Sequence, residues 1–186
     1  MRFYKCLKKQ IFSFNEYQLI PIRDQDKYAI MKWRNEQIYH LRQVKILDKE
    51  TQDKYFQNVV SKLFELVHPD QILFSYLENG NCIGYGGLVH INWVDKQGEI
   101  SFIMDTELEK KYFKKHWGIF LNLLEKIAFD DLKFHKIYTY AYDIRPKLFE
   151  ILNESGYLLE ARLTQHVLIN NIYYDVLIHS KLEKTK

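Results

Sequence analysis

From Gly98 to Tyr157 the chain reads strand, helix, strand, short helix. The segment GEISFIMD (98–105) alternates side chains as a strand does, and KKHWGIFLNLLEKIAFDDL (114–132) carries apolar residues at helical spacing around a lone glycine. KIYTYAY (136–142) alternates again. PKLFEILNESG (146–156) returns to helical spacing behind a leading proline, just before the aromatic Tyr157. A strand, a crossover helix and a second strand bring two strands side by side in parallel, so the helix starts beside a strand edge. Its first amides have no partner and lie at the positive end of the helix dipole, an arrangement suited to a pyrophosphate.

Composition narrows the class of partner. The chain has 186 residues, 47% hydrophobic and 16% aromatic, which excludes a disordered chain and predicts one domain over residues 1–186. The formal net charge is only +3, with lysines scattered among acids, so no nucleic-acid partner is expected. The densest basic patch, Lys110, Lys111, Lys114 and Lys115, precedes Gly118 and fits a small phosphorylated ligand better. Cys6 and Cys82 form no CxxC pair and the seven histidines are dispersed, so neither a metal nor a disulfide framework is expected. No apolar run approaches the ~20 residues of a membrane span, and the N-terminus lacks the apolar core of a signal peptide. A reducing, cytoplasmic setting without membrane contact is expected.

Along the rest of the chain, residues 1–13 read as an extra strand or a loose arm. A strand follows over 17–22, then a helix from Asp24 to about Trp33 and a second helix from Asp48 or Thr51 that His68-Pro69-Asp70 ends. Ile72–Leu77 and Cys82–Ile91 form a hairpin across Asn79-Gly80, and Glu99–Met104 extends it. Leu158–Ile169 and Ile172–Leu182 form a closing hairpin across Asn170-Asn171. The expected fold is α+β, with a mixed, mostly antiparallel central sheet of about seven strands flanked by about four helices.

This order, with EKIAFDDLKFHKIYTYAYD, resembles the GCN5-related N-acetyltransferase (GNAT) superfamily, and in it the enzymes that acetylate ribosomal-protein N-termini and nucleotide-linked amino sugars. The resemblance implies acetyl-CoA as co-substrate and covers nearly the whole chain. Its pyrophosphate-binding span falls on YFKKHWG (112–118), where Gly118 alone keeps the glycine pattern. Lys114, Lys115, His116 and Trp117 complete that candidate site, against the simpler reading of a helix start with solvated lysines. The amides of Met104 and Asp105, on a bulged strand, would hold pantetheine or polarise the thioester. The family tyrosine that protonates departing CoA falls on Leu152, which has no proton to give, and the family asparagine falls near Arg145. Tyr142, Tyr140 or water would then serve as acid, with a structural strand tyrosine as the alternative.

For the acceptor, the resemblance makes Glu99 the base that neutralises an incoming ammonium, whose pKa lies near ~10 in water. A solvent-facing hairpin glutamate is the alternative. Trp33-Arg34-Asn35 matches a triplet of the sugar-nucleotide acetyltransferases, implying stacking by Trp33 and phosphate binding by Arg34. Otherwise Trp33 packs in the core and Arg34 pairs with Glu36. His90, on a glycine-rich strand, joins the candidate acceptor residues. The expected activity is direct acetyl transfer to a primary amine by a monomer or homodimer. The acceptor is a nucleotide-linked amino sugar, a protein N-terminus or a small amine. The rival is a CoA-binding domain without turnover.

Overall fold

The computed structural model describes residues 2–183. A short edge strand β1 (Phe12–Phe14) leads into β2 (Tyr17–Pro21) and helix α1 (Lys27–Glu36). Helix α2 (Lys49–Tyr55) continues through a π-helical segment (Phe56–Val60) and a last turn (Ser61–Leu63). Strands β3 (Ile72–Glu78), β4 (Asn81–Asn92) and β5 (Gln97–Met104) form a meander. Helix α3 (Thr106–Glu125) then crosses to β6 (Lys136–Tyr142), and α4 (Pro146–Glu154) leads to β7 (Leu158–Ile169) and β8 (Ile172–Leu182). The eight strands make one sheet in the order β1-β2-β3-β4-β5-β6-β8-β7.

Local chemistry explains most boundaries. The Asp48 carboxylate accepts from the Thr51 amide at 2.7 Å and starts α2. Asp105 does the same for α3, accepting from Glu107 and Leu108. Asn170 and Asn171 both take positive φ, 50° and 62°, as a two-residue hairpin turn between β7 and β8 requires. Where α3 crosses the sheet, Phe120 stacks on Phe102 with ring centroids 3.9 Å apart. Gly86 makes that approach possible: a Cβ there would lie 2.2 Å from the Ser101 carbonyl oxygen and 2.8 Å from Phe120.

The N-terminal segment is anchored, not a loose arm. Tyr4 is buried, and its hydroxyl donates to the Leu73 carbonyl and accepts from the Leu73 amide, both at 2.9 Å. The strand beyond the expected seven is β1. The first helix also starts later than expected. Asp24–Asp26 forms one 3₁₀ turn, because the Asp26 carboxylate turns back to bind the Arg23 guanidinium and Ser75 Oγ.

One feature of the sheet positions the candidate site. All strand pairs are antiparallel except β5 and β6, and this parallel pair lasts only from Gln97–Lys136 to Glu99–Tyr138. Beyond Glu99, β5 stays with β4 and β6 stays with β8, so the sheet splits into a wedge.

Candidate active site

A cavity of about 320 Å³ fills the wedge, with Glu99 and Ser101 on one side and Tyr140 and Tyr142 on the other. Glu99 is only 5% exposed. Burial pushes its carboxyl above the ordinary glutamate value, and the Arg42 guanidinium offsets part of that. Arg42 forms an ion pair with Glu99 and lies 4.6 Å above the Tyr140 ring. The strand irregularity expected at Met104 occurs elsewhere. The register of β4 and β5 shifts between Val89 and Asn92, where His90 takes φ 48° and stands exposed at the cavity rim.

The Trp33-Arg34-Asn35 triplet divides its work. Trp33 is buried and donates from Nε1 to the Asp105 carboxylate at 3.0 Å, so it has no face free to stack on a ring of the acceptor. Asn35 bonds Leu47 through both its backbone groups, at 2.8 and 2.9 Å, and accepts from Gln43. That grip shapes the segment carrying Arg42. Only Arg34 reaches the cavity, donating from Nε to Gln43 Oε1 at 2.9 Å and from Nη1 to the Tyr85 hydroxyl at 2.5 Å. Its pairing with Glu36 does not occur.

On the opposite side of the wedge, Asp105 is spent on structure. Its amide donates to the Ile83 carbonyl at 2.8 Å and its carboxylate caps α3, so the amide is not free for pantetheine. Hydrogen-bonded and non-bonded pairs alternate along an antiparallel ladder. With Asp105 bonded to Ile83, the amides of Phe102 and Met104 point away from β4, toward the wedge that β6 has left open. The Met104 carbonyl on that side accepts from Gln37 Nε2 at 2.8 Å. Tyr142 is buried at the end of β6, with its phenol raised by burial and by Tyr140, and is therefore protonated at neutral pH.

The basic segment before Gly118 does not converge on a ligand. Tyr112 breaks α3 with φ −130° and ψ 28°, and the helix resumes at once. Lys114 pairs with Glu150 and Glu154 of α4, and Lys115 lies over the Tyr17 ring. His116 is buried with Nδ1 3.2 Å from the Tyr76 hydroxyl, and Trp117 packs edge-on against Phe102. Gly118 lies inside the helix, and a Cβ there would meet only Ile151 Cδ1 at 3.7 Å. The expected phosphate loop is thus a kink at Tyr112 followed by the helix that carries Lys114 to Gly118, whose side chains meet protein partners.

A second cavity, about 680 Å³, lies between the first turns of α3 and α4 and is edged by Lys32, Lys110 and Lys147. Arg145 lines both cavities. Its guanidinium donates to Glu109 at 2.7 Å and lies over the Phe113 and Trp117 rings. Arg145 Nη1 is 3.4 Å from His40 Nδ1, which makes Nδ1 the acceptor and puts the ring proton on Nε2, 4.0 Å from Glu109. Burial and the Arg145 charge lower His40 to about 3, so it is neutral. The sequence reading missed Arg42, Glu109 and His40, and no local pattern marks them.

A family model described as an acetyltransferase (GNAT) domain matches residues 19–178. A comparison of the sequence with curated proteins gives no match. Among solved structures, the spermidine N-acetyltransferase of Vibrio cholerae in complex with CoA and spermine superposes with a TM-score of 0.80. It is 20% identical, covering 91% of this chain and 97% of that one. A dodecameric form of the same enzyme in an intermediate state gives 0.74 at 22% identity, over 91% and 95% of the two chains. At these identities the likeness establishes the fold.

Proposed function

The chain belongs to the GNAT acetyltransferase family, and on that premise we propose that it transfers acetyl from acetyl-CoA to a small primary amine, with Glu99 as the base. The observation that carries this reading is the buried Glu99 carboxylate in a cavity at the wedge between β5 and β6.

Acetyl-CoA supplies the acyl group as a reactive thioester. The open edge of β5, with the Phe102 and Met104 amides turned to the wedge, suits the amide-bearing arm of the co-substrate. Lys110 and Lys147 edge the second cavity and would face its phosphates. Glu99 takes a proton from the acceptor ammonium, and the neutral amine attacks the carbonyl carbon. As the C–N bond forms and the C–S bond breaks, the Tyr142 phenol returns a proton to the sulfur. Holding both substrates in one wedge supplies the proximity that direct transfer needs. Leu152, fully buried, takes no part. Free Cys6 and Cys82 fit a reducing cytoplasm.

A small amine is the acceptor best supported. The similar structures are named as acetyltransferases of spermidine, and the nucleotide-sugar reading needs a stacking face that buried Trp33 does not offer. Thermal unfolding with and without acetyl-CoA, followed by thiol release with amines, tests the proposal. At a hundred times its dissociation constant, acetyl-CoA adds about 2.7 kcal/mol of stability. Stabilisation without thiol release from any amine would make the domain a CoA binder and overturn the assignment.

A further inference from the structure

Arg145 takes no part in the steps above, yet among the described residues only Arg145 and Leu148 border both cavities, and Leu148 is apolar. On the transferase reading the cavity at Glu99 receives the amine, and the cavity edged by Lys110 and Lys147 receives acetyl-CoA. Nitrogen and acyl carbon therefore meet at the junction of the two, beside Arg145. The guanidinium is fixed there before any substrate arrives. Nη2 donates to Glu109 at 2.7 Å, Nη1 lies 3.4 Å from His40 Nδ1, and the Phe113 and Trp117 rings lie against the group. Those contacts use two of the five N–H groups of an arginine, and among the described residues the other three have no protein acceptor. Glu109 borders the second cavity alone, so the positive end of the ion pair is the end at the junction.

We infer that Arg145 is a catalytic residue of the transfer, its guanidinium holding the negative charge of the departing CoA sulfur. This inference rests on the transferase reading and adds a residue to it. As the C–N bond forms, the C–S electron pair leaves on sulfur. The proton that the nitrogen then sheds makes good the one that the Tyr142 phenol gives to sulfur. That phenol is raised by burial, so it parts with its proton reluctantly and the sulfur carries charge first. A fixed cation in a site shielded from water stabilises such charge without reorganising. A thiol beside an arginine ionises more readily, and a more acidic thiol leaves faster. The groups facing Arg145 are Glu109 from α3 and Tyr39 and His40 from the 3₁₀ turn Ile38–His40. Burial keeps the Tyr39 phenol and the His40 ring uncharged, so Glu109 alone opposes the guanidinium.

CoA against desulfo-CoA, the same molecule with hydrogen in place of the thiol, tests this through dissociation constants at pH 6 and pH 8. A free thiol titrates near ~8.5, whereas a guanidinium at the sulfur makes the bound thiol ionise within that range. The preference for CoA over desulfo-CoA is therefore expected to rise at least tenfold from pH 6 to pH 8. Titration of the protein's own groups acts on both ligands alike and cancels in the ratio. Arg145→Met combined with Glu109→Gln removes both charges and leaves no carboxylate unpaired. In that double variant the ratio should not change with pH, and Arg145→Lys should keep part of the rise. A purely structural role would weaken both ligands together and leave the ratio as it was. In thiol release with acetyl-CoA, kcat should fall at least tenfold in the double variant. A flat ratio in the wild type, an equal rise in the double variant or an unchanged kcat overturns the inference and leaves the transferase standing. Failure of CoA, desulfo-CoA and acetyl-CoA alike to bind would overturn the transferase reading, and the role of Arg145 with it.

Discussion

Arg42 holds the buried carboxylate of Glu99 while its own guanidinium lies 4.6 Å above the Tyr140 ring, so one exposed loop residue ties together the two strands that diverge at the wedge. Two opposed effects meet at Glu99. Burial favours the protonated acid, and Arg42 favours the carboxylate that a base requires.

The first prediction follows from that opposition. Glu99→Gln should lower kcat by about a hundredfold or more, the usual contribution of a positioned base. Arg42→Met should keep the base but move the acid limb of kcat/KM to higher pH, since the guanidinium that draws Glu99 downward is gone. The pH profile of thiol release reads both effects. An acid limb unmoved in Arg42→Met would separate Arg42 from the base.

The strand–helix–strand order, the hairpins and the caps were legible because they depend on near neighbours: alternation, Asn-Gly and Asn-Asn turns, Asp48 and Asp105 before their helices. Glu99 was singled out through the family resemblance, because alternation alone does not separate a buried base from a solvent-facing hairpin glutamate. Arg42, His40 and Glu109 were not. They come from the 3₁₀ turn Ile38–His40, the loop after it and the first turn of α3, and only the folded chain brings them beside Glu99 and Arg145. Lys114 to Gly118 show the opposite case. The basic run looks like a phosphate site in sequence, and the fold adds partners that sequence does not show: Glu150 and Glu154 for Lys114, Tyr17 for Lys115 and Tyr76 for His116.

His40 should make the protein sensitive to acid. Unfolded, its ring titrates near the ordinary value of 6.5, whereas in the fold it titrates at about 3. Between those values the unfolded chain binds the extra proton, so stability is full above about 6.5 and falls as pH drops. The slope approaches about 1.4 kcal/mol per pH unit from this group. Glu99 and Glu109, both raised by burial, act with the opposite sign. The difference between wild type and His40→Leu in urea midpoints from pH 7 to pH 5 isolates the histidine. Parallel pH dependences would mean that His40 is charged in the fold.

Arg145 and Glu109 are 12% and 13% exposed, and their ion pair stands between the two cavities. Arg145→Met should cost about 3–5 kcal/mol, because it leaves a buried carboxylate without its partner. The double variant Arg145→Met with Glu109→Gln should recover most of that loss, which chemical denaturation of all four cycle members will measure. If the double variant is as unstable as the sum of the singles, the pair contributes packing and no charge compensation.

Two glycines should respond oppositely to the same substitution. At Gly86 a Cβ would lie 2.2 Å from a backbone oxygen of β5, which cannot move without tearing the ladder at the wedge. Gly86→Ala should destabilise by at least about 3 kcal/mol. At Gly118 the same atom meets only an ordinary contact with Ile151 Cδ1 at 3.7 Å, inside the helix that resumes after Tyr112. Gly118→Ala should therefore stabilise by about 1 kcal/mol, the difference in helix propensity. Because the backbone there is committed to the helix, the unfolding-temperature shift given by acetyl-CoA should be unchanged in this variant. A shift that disappears in Gly118→Ala would return the glycine to the pyrophosphate site that the sequence pattern suggested.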